Sequence, residues 1–97
     1  MADYRITCID KPNRMSVHEH ITAAGGIGPE GNRWKDTTPN IIRFIESNQH
    51  RFYTQEGNAT ALVGVRVSAA GNKYIQTYAD GVWKDNLLAL DECSLAQ

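Results

Sequence analysis

The chain of 97 residues carries 10 Lys and Arg against 11 Asp and Glu, for a formal net charge of −1, and 41% of its residues are hydrophobic. This length predicts a single domain over residues 1–97, large enough to bury one core without a metal or disulfide staple. The balance of charges argues against a protein that coats DNA through an overall basic field, and no stretch approaches the ~20 apolar residues of a membrane span.

The N-terminus and the two cysteines predict a cytoplasmic protein. Asp3, Arg5 and Asp10 stand where a signal peptide would need an apolar run. Small exported domains more often carry about four or more cysteines, so Cys8 and Cys93 are expected as reduced thiols, with Cys8 packed inside a strand. A Cys8–Cys93 bridge between the two ends of the chain is the alternative.

Alternating apolar and polar residues predict two strands near the start of the chain, Tyr4–Asp10 and Val17–Ala23. The loop between them is short, which favours an antiparallel hairpin. If Ile6 and Cys8 of the first strand face the core, the two histidines of the second strand lie on the opposite face, away from Cys8.

The segment Thr37–Asn48 predicts the one clear helix. Thr38 suits the N-cap, and Pro39 suits the first helical position, where its missing N–H costs nothing. Apolar residues recur from Ile41 at spacings of three and four, as on the buried side of a helix. Asn48 can take the left-handed conformation that ends a helix.

The second half of the chain predicts short strands separated by tight turns. The predicted strands are Arg51–Gln55, Thr60–Ser68, Lys73–Tyr78 and Val82–Lys84. Asp80-Gly81 is typical of a two-residue hairpin turn, whereas Leu87–Leu90 fits a helical or an extended state. The order β-β-α-β-β-β predicts an α+β fold, in which an antiparallel sheet of five or six strands carries one helix packed across one face.

Several short motifs resemble the family called domain of unknown function 3892, a group of small uncharacterised proteins. The likeness runs from Ile6 to Cys93 and is carried above all by Tyr74-Ile75-Gln76-Thr77, Asp80-Gly81 and Asp85-Asn86-Leu87-Leu88-Ala89-Leu90. The resemblance implies a bacterial or phage-borne cytosolic protein. It implies no activity, because none is established for the family.

His18 and His20 are the candidate metal ligands. On a strand, side chains two residues apart share a face, so both imidazoles could hold one Zn²⁺. The sequence offers no third ligand nearby and neither a CxxC nor an HExxH motif. The simpler interpretation is a solvated pair, so no metal and no cofactor is expected. A metal-binding protein or metal-dependent enzyme using His18 and His20 stands as the alternative function.

The glycine-rich segment Gly25–Gly31 predicts a loop, with Arg33 to Lys35 still irregular after it. Consecutive backbone N–H groups can cradle a phosphate, and Arg33 with Trp34 could grip a nucleotide by charge and stacking. The segment is neither a Walker A loop nor a dinucleotide-binding fingerprint. The simpler interpretation is a flexible loop whose Trp34 packs against the core.

The hairpin from Lys73 to Lys84 is the second candidate binding segment. Tyr74, Tyr78 and Trp83 form an aromatic platform that the two lysines flank, a pattern suited to binding a partner. The acids of this segment are explained by a turn and a helix cap, so catalysis is not needed to account for them.

These features favour a non-catalytic binding module, acting through a protein or nucleic-acid partner, over an enzyme. The candidate binding residues are Lys73, Tyr74, Tyr78, Trp83, Lys84, Arg33 and Trp34. No membrane partner is expected, and pairing of a sheet edge with a second copy of the chain is a further expectation.

Overall fold

A computed structural model describes residues 2–11 and 20–93 of the chain. The strands are β1 Ala2–Asp10, β2 Ala23–Ile27, β3 Arg33–Thr37, β4 His50–Glu56, β5 Ala59–Val67, β6 Lys73–Ala79, β7 Val82–Lys84 and β8 Asp91–Glu92. The helix α1 spans Thr38–Glu46, and a 3₁₀ turn spans Asn86–Ala89. The α+β class is therefore confirmed, with one α-helix in the described part of the chain.

All eight strands belong to one mixed sheet. Seven follow the order β3-β2-β1-β4-β5-β6-β7, and β8 pairs with β1 beside the end of β4. The strand β1 lies parallel to both β4 and β8, while the other pairs are antiparallel. The expected antiparallel sheet of five or six strands is wrong in number and in pairing, because α1 is a crossover that brings β4 in beside β1.

The glycine-rich segment is largely strand, which corrects the predicted loop. Ala23–Ile27 pairs on one side with β1 and on the other with Arg33–Thr37, and the turn is confined to residues 28–32. Within the described residues, His20 to Thr22 precede this strand and are not part of it. Glycine fits here for a packing reason, since a Cβ on Gly26 would stand 1.9 Å from the carbonyl oxygen of Arg5.

A β-bulge in β1 changes which residues face the core. Ile6 and Cys8 pair with consecutive residues of β2, which leaves Thr7 as the extra residue. Side-chain alternation reverses at this point, so both Ile6 and Ile9 join the hydrophobic core. The prediction that Ile6 and Cys8 share the core face is wrong, because the bulge turns Cys8 to the opposite face.

The helix α1 covers one face of the sheet, and its N-cap lies one residue earlier than predicted. Thr37 is the N-cap, and Pro39 lies in the first turn. The buried Thr38 hydroxyl donates to the carbonyl of Ile21 at 2.9 Å. The helix ends before Asn48, whose φ of 59° confirms the predicted left-handed residue.

The core lies between α1, the 3₁₀ turn and one face of the sheet. Its buried members are Ile6, Ile9, Ile21, Ala24, Ile41, Ile42, Phe52, Val63, Ile75 and Leu87. The sequence left open whether Leu87–Leu90 is helical or extended. Leu87 lies in a 3₁₀ turn and reaches this core from it.

Cys8 and Cys93 form a disulfide, so the expectation of two reduced thiols is wrong. Both cysteines are buried. The strand β8 positions Cys93 beside β1, where the Cys93 N–H donates to the carbonyl of Ile9 at 3.2 Å. Local patterns gave no sign of this bridge, because the pairing of β8 with β1 joins residues far apart in sequence.

Among the described residues, no helix is long and apolar enough to cross a lipid bilayer. The chain reverses tightly between β6 and β7 at Asp80 and Gly81, whose φ angles are 55° and 79°. Two consecutive positive φ values are the signature of the hairpin turn that this dipeptide predicts.

Candidate binding face of the sheet

The helix and the 3₁₀ turn cover the same face of the sheet, and the candidate site lies on the other one. Side chains alternate along each strand, so every second residue of β4, β5 and β6 points away from the core. In β5, for example, Ala61 and Val63 are buried, whereas Leu62 between them is 51% exposed. We call the face opposite α1 the open face.

One line of paired residues crosses the whole open face. Each member is the direct Cα partner of the next, from β7 at one edge to β3 at the other. The members of this transverse row are Trp83, Tyr78, Leu62, Tyr53, Arg5, Ile27 and Arg33. With neighbouring strands about 4.8 Å apart, the row is roughly 29 Å long.

The row includes apolar side chains that are unusually accessible. Leu62 is 51% exposed, Tyr78 is 44% exposed and Ile27 is 42% exposed. Leu62, Tyr78 and Trp83 border a shallow depression of ≈ 290 Å³. Adjacent exposed apolar and aromatic residues often mark a surface that binds a partner.

The Trp83 ring packs against β5 at Gly64, which has no side chain. A Cβ built on Gly64 would stand 3.0 Å from Cη2 of the Trp83 indole. The Tyr78 ring meets the indole edge to face at a centroid distance of 5.1 Å. The guanidinium of Arg66 lies over the same indole, 4.8 Å from its centroid, in a cation–π contact.

Hydrogen bonds hold Arg66 in this position. Its Nη1 donates to Oε1 of Gln76 at 3.1 Å, and Nε2 of Gln76 donates to the carbonyl of Lys84 at 3.1 Å. Gln76 is buried, and both of these hydrogen bonds are partly buried. The arginine and the indole are thus preorganised at the edge of the sheet.

The open face carries more cations than acids among the described residues. By strand register its cations are Arg5, Arg33, Lys35, Arg51 and Arg66, and its acids are Asp3, Asp10 and Asp91. Two acids pair with cations of the same face, Asp10 with Lys35 at 2.7 Å and Asp3 with Arg51 at 2.9 Å. The row itself contains two arginines and no acid.

Four of the candidate residues predicted from the sequence lie on the open face. Tyr78, Trp83 and Arg33 belong to the transverse row, although Arg33 lies at the edge opposite the other two. Tyr74 lies on the same face, paired with Arg66. The structure therefore joins two segments, β3 and the β6–β7 hairpin, that the sequence treats as separate sites.

Three other candidates lie on the helix side of the sheet. The Lys73 ammonium bonds Glu46 of α1 at 2.7 Å, and Lys84 pairs with the buried Thr77. The Trp34 indole packs edge to face on Tyr4 and donates its N–H to the carbonyl of Arg5 at 3.2 Å. These side chains do not meet Tyr78 and Trp83 on one surface.

Of the two candidate metal ligands, one lies in the part of the chain that the structure describes. His18 lies outside the described residues, and His20 is exposed. Within residues 2–11 and 20–93, no three His, Cys, Asp or Glu side chains are close enough to hold a metal ion.

Sequence reasoning missed most of the middle of the row. Alternation in β5 places Leu62, Gly64 and Arg66 on the solvent side, so their direction could be read from the pattern. Their role in the site could not be read from the pattern, because it depends on contact with Trp83, which belongs to another strand. Arg5 and Tyr53 gave no signal, since their pairing requires the parallel contact of β1 with β4.

A family model described as "Protein of unknown function (DUF3892)" matches residues 5–91 of the chain. No curated protein and no solved structure matches the chain.

Proposed function

The chain belongs to the family of proteins of unknown function DUF3892, and we propose that it is a non-catalytic binding module that engages a macromolecular partner through its open face. The transverse row is the observation that carries this proposal. It aligns Trp, Tyr and Arg side chains, the residue types that dominate the energetics of interfaces, with exposed Leu62 and Ile27.

Preorganisation of the aromatic end supports the proposal. Trp83 is fixed by Gly64, Tyr78 and Arg66, so little side-chain freedom is lost when a partner covers it. The open face also lacks a cover of helix among the described residues, because α1 and the 3₁₀ turn both lie on the other side.

Two random libraries test the proposal without a known partner. Immobilised protein is used to select from a pool of single-stranded oligonucleotides and from a displayed peptide library. We expect binders from at least one library, and we expect Leu62→Asp to abolish their binding, because a buried unpaired carboxylate is costly. Selection of no binder from either library would contradict the proposal.

Val67→Asp is the matched control. Val67 lies in the same strand and is 61% exposed, but its side chain has the opposite parity to Leu62. Binders should tolerate this change. Equal loss of binding in both variants would show that a general effect of charge or folding, and not the open face, explains the result.

Self-association through a sheet edge is a second proposal for the partner. The strand β3 forms one edge of the seven-strand path, with five residues, whereas β7 at the other edge has three. An edge strand presents backbone groups that a second copy can pair with. Light scattering that detects monomer at every concentration would remove this proposal.

The cytoplasmic location also stays a proposal, and the disulfide is the observation that weighs against it. Disulfides persist in oxidising compartments and are rare where glutathione keeps thiols reduced. Host cells are quenched in acid, and the unfolded protein is then alkylated and its mass measured, because both cysteines are buried in the folded chain. Two alkylated cysteines would support a cytoplasmic location, whereas a protein with no alkylated cysteine would contradict it.

A further inference from the structure

The two halves of the transverse row differ in chemistry. The half on β7, β6, β5 and β4 is aromatic and apolar, with Trp83, Tyr78, Leu62 and Tyr53. The half on β1, β2 and β3 contains Arg5 and Arg33 on either side of Ile27. A ligand that covers the row must therefore offer flat apolar groups at one end and anionic groups along the other.

Single-stranded nucleic acid has this combination, since each nucleotide joins a planar base to a phosphate. Bases stack on aromatic rings and on arginine planes, whatever their sequence, and phosphates pair with arginine. Resting on the proposed function and naming its partner, we infer that the open face binds single-stranded nucleic acid laid across the strands along the transverse row.

Charge supports this occupant. The chain as a whole is slightly acidic, with a net charge of −1, yet the described part of the open face holds five cations against three acids. Among these residues, the face that carries the exposed aromatic rings thus has two more cations than acids, whereas the chain as a whole has one more acid than cations. A local basic surface on a neutral protein favours a polyanion at that surface.

The shape of the face favours a single strand over a duplex. Duplex DNA is read by an element that enters a groove, whereas α1 lies on the opposite side of the sheet. In a duplex, the faces of the bases are already stacked on neighbouring bases. They are therefore not available to stack on Tyr78 and Trp83. Sheet surfaces that present aromatic rings bind splayed, single-stranded bases.

Fluorescence anisotropy with labelled oligonucleotides tests the inference. Single strands of about 4 and about 16 nucleotides span the site sizes of comparable small domains, and DNA and RNA versions of each separate the two sources of the same chemistry. We expect the long strand to bind and its affinity to fall with salt. No binding at about 50 mM salt would overturn the inference.

Arg33→Ala tests the cationic half of the row. For the long strand we expect the slope of log K against log salt to fall by about 0.7, the value for one lost phosphate contact. Arg43→Ala is the control, because Arg43 is an exposed arginine of α1 and should leave the slope unchanged. Equal slopes for both variants would overturn the proposed path.

Tyr78→Ala tests the aromatic half. Loss of one stacking ring should weaken binding about tenfold or more at every salt concentration without changing the slope. Tyr78→Phe keeps the ring and should bind like the parent. If peptides selected on the open face depend on Leu62 while no oligonucleotide binds, the nucleic-acid inference falls and the binding module stands.

Discussion

Two glycines show at the scale of single residues how the site is built. Gly26 lets β2 approach β1 so closely that a side chain there would meet backbone, at 1.9 Å from the Arg5 carbonyl oxygen. Gly64 is different, because a Cβ there would stand 3.0 Å from the indole of Trp83, a side chain. Gly26 is required by the fold, whereas Gly64 shapes the binding face.

Alanine at the two positions should therefore have unequal effects. We expect Gly26→Ala to lower the free energy of unfolding by about 3 kcal/mol or more, since the backbone of two strands must move apart. Gly64→Ala should cost about 1 kcal/mol, because the Trp83 ring can shift. Urea denaturation measures both, and equal losses would contradict the distinction.

At the scale of elements, the turns and the helix follow from local chemistry. Asn48 and Asp80-Gly81 were predicted from the sequence because each needs φ > 0, which few residues adopt easily. The identity of β2 was not predicted, since its glycines read locally as a loop and only the close approach of β1 explains them. The bulge at Thr7 was likewise missed, because Cys8 continues the apolar alternation from Ile6 and so conceals the shift that turns Ile9 to the core.

The same local reasoning predicts the effect of changing the helix end. Asn48 has φ 59°, so Asn48→Gly should leave stability unchanged or raise it slightly. Asn48→Ala should lower the free energy of unfolding by about 1 kcal/mol, the cost of an alanine in the left-handed region. In thermal melts, the Tm of Asn48→Ala should therefore lie several degrees below the Tm of Asn48→Gly.

At the scale of the whole molecule, the binding face depends on contacts between distant parts of the chain. The row needs β1 beside β4, and β1 is the strand that the disulfide ties to β8. Sequence patterns predict elements from near neighbours, so the strands β4 to β7 were predicted well, whereas β8 was not predicted. The parallel pairings, and with them the position of Arg5 beside Tyr53, depend on long-range packing that no local pattern contains.

The disulfide should be a large part of the stability of the molecule. It closes a loop with a sequence separation of 85. By the loop-entropy argument, its removal costs about 4–5 kcal/mol. The double variant Cys8→Ala with Cys93→Ala should therefore unfold at much lower denaturant concentration than the oxidised parent. Reductant should lower the unfolding midpoint of the parent and leave that of the double variant unchanged, because only the parent has a disulfide to reduce.

The same bond also decides how the protein responds to mechanical load. A force applied to the two ends of this chain enters at Cys8 and leaves at Cys93, because the covalent bridge is the shortest connection between them. The helix and the strands β2 to β7 lie between the two cysteines in sequence, and so outside this covalent path while the bond is intact. A thiol reductant would break this shortcut and place the segment between the two cysteines in the path of the force.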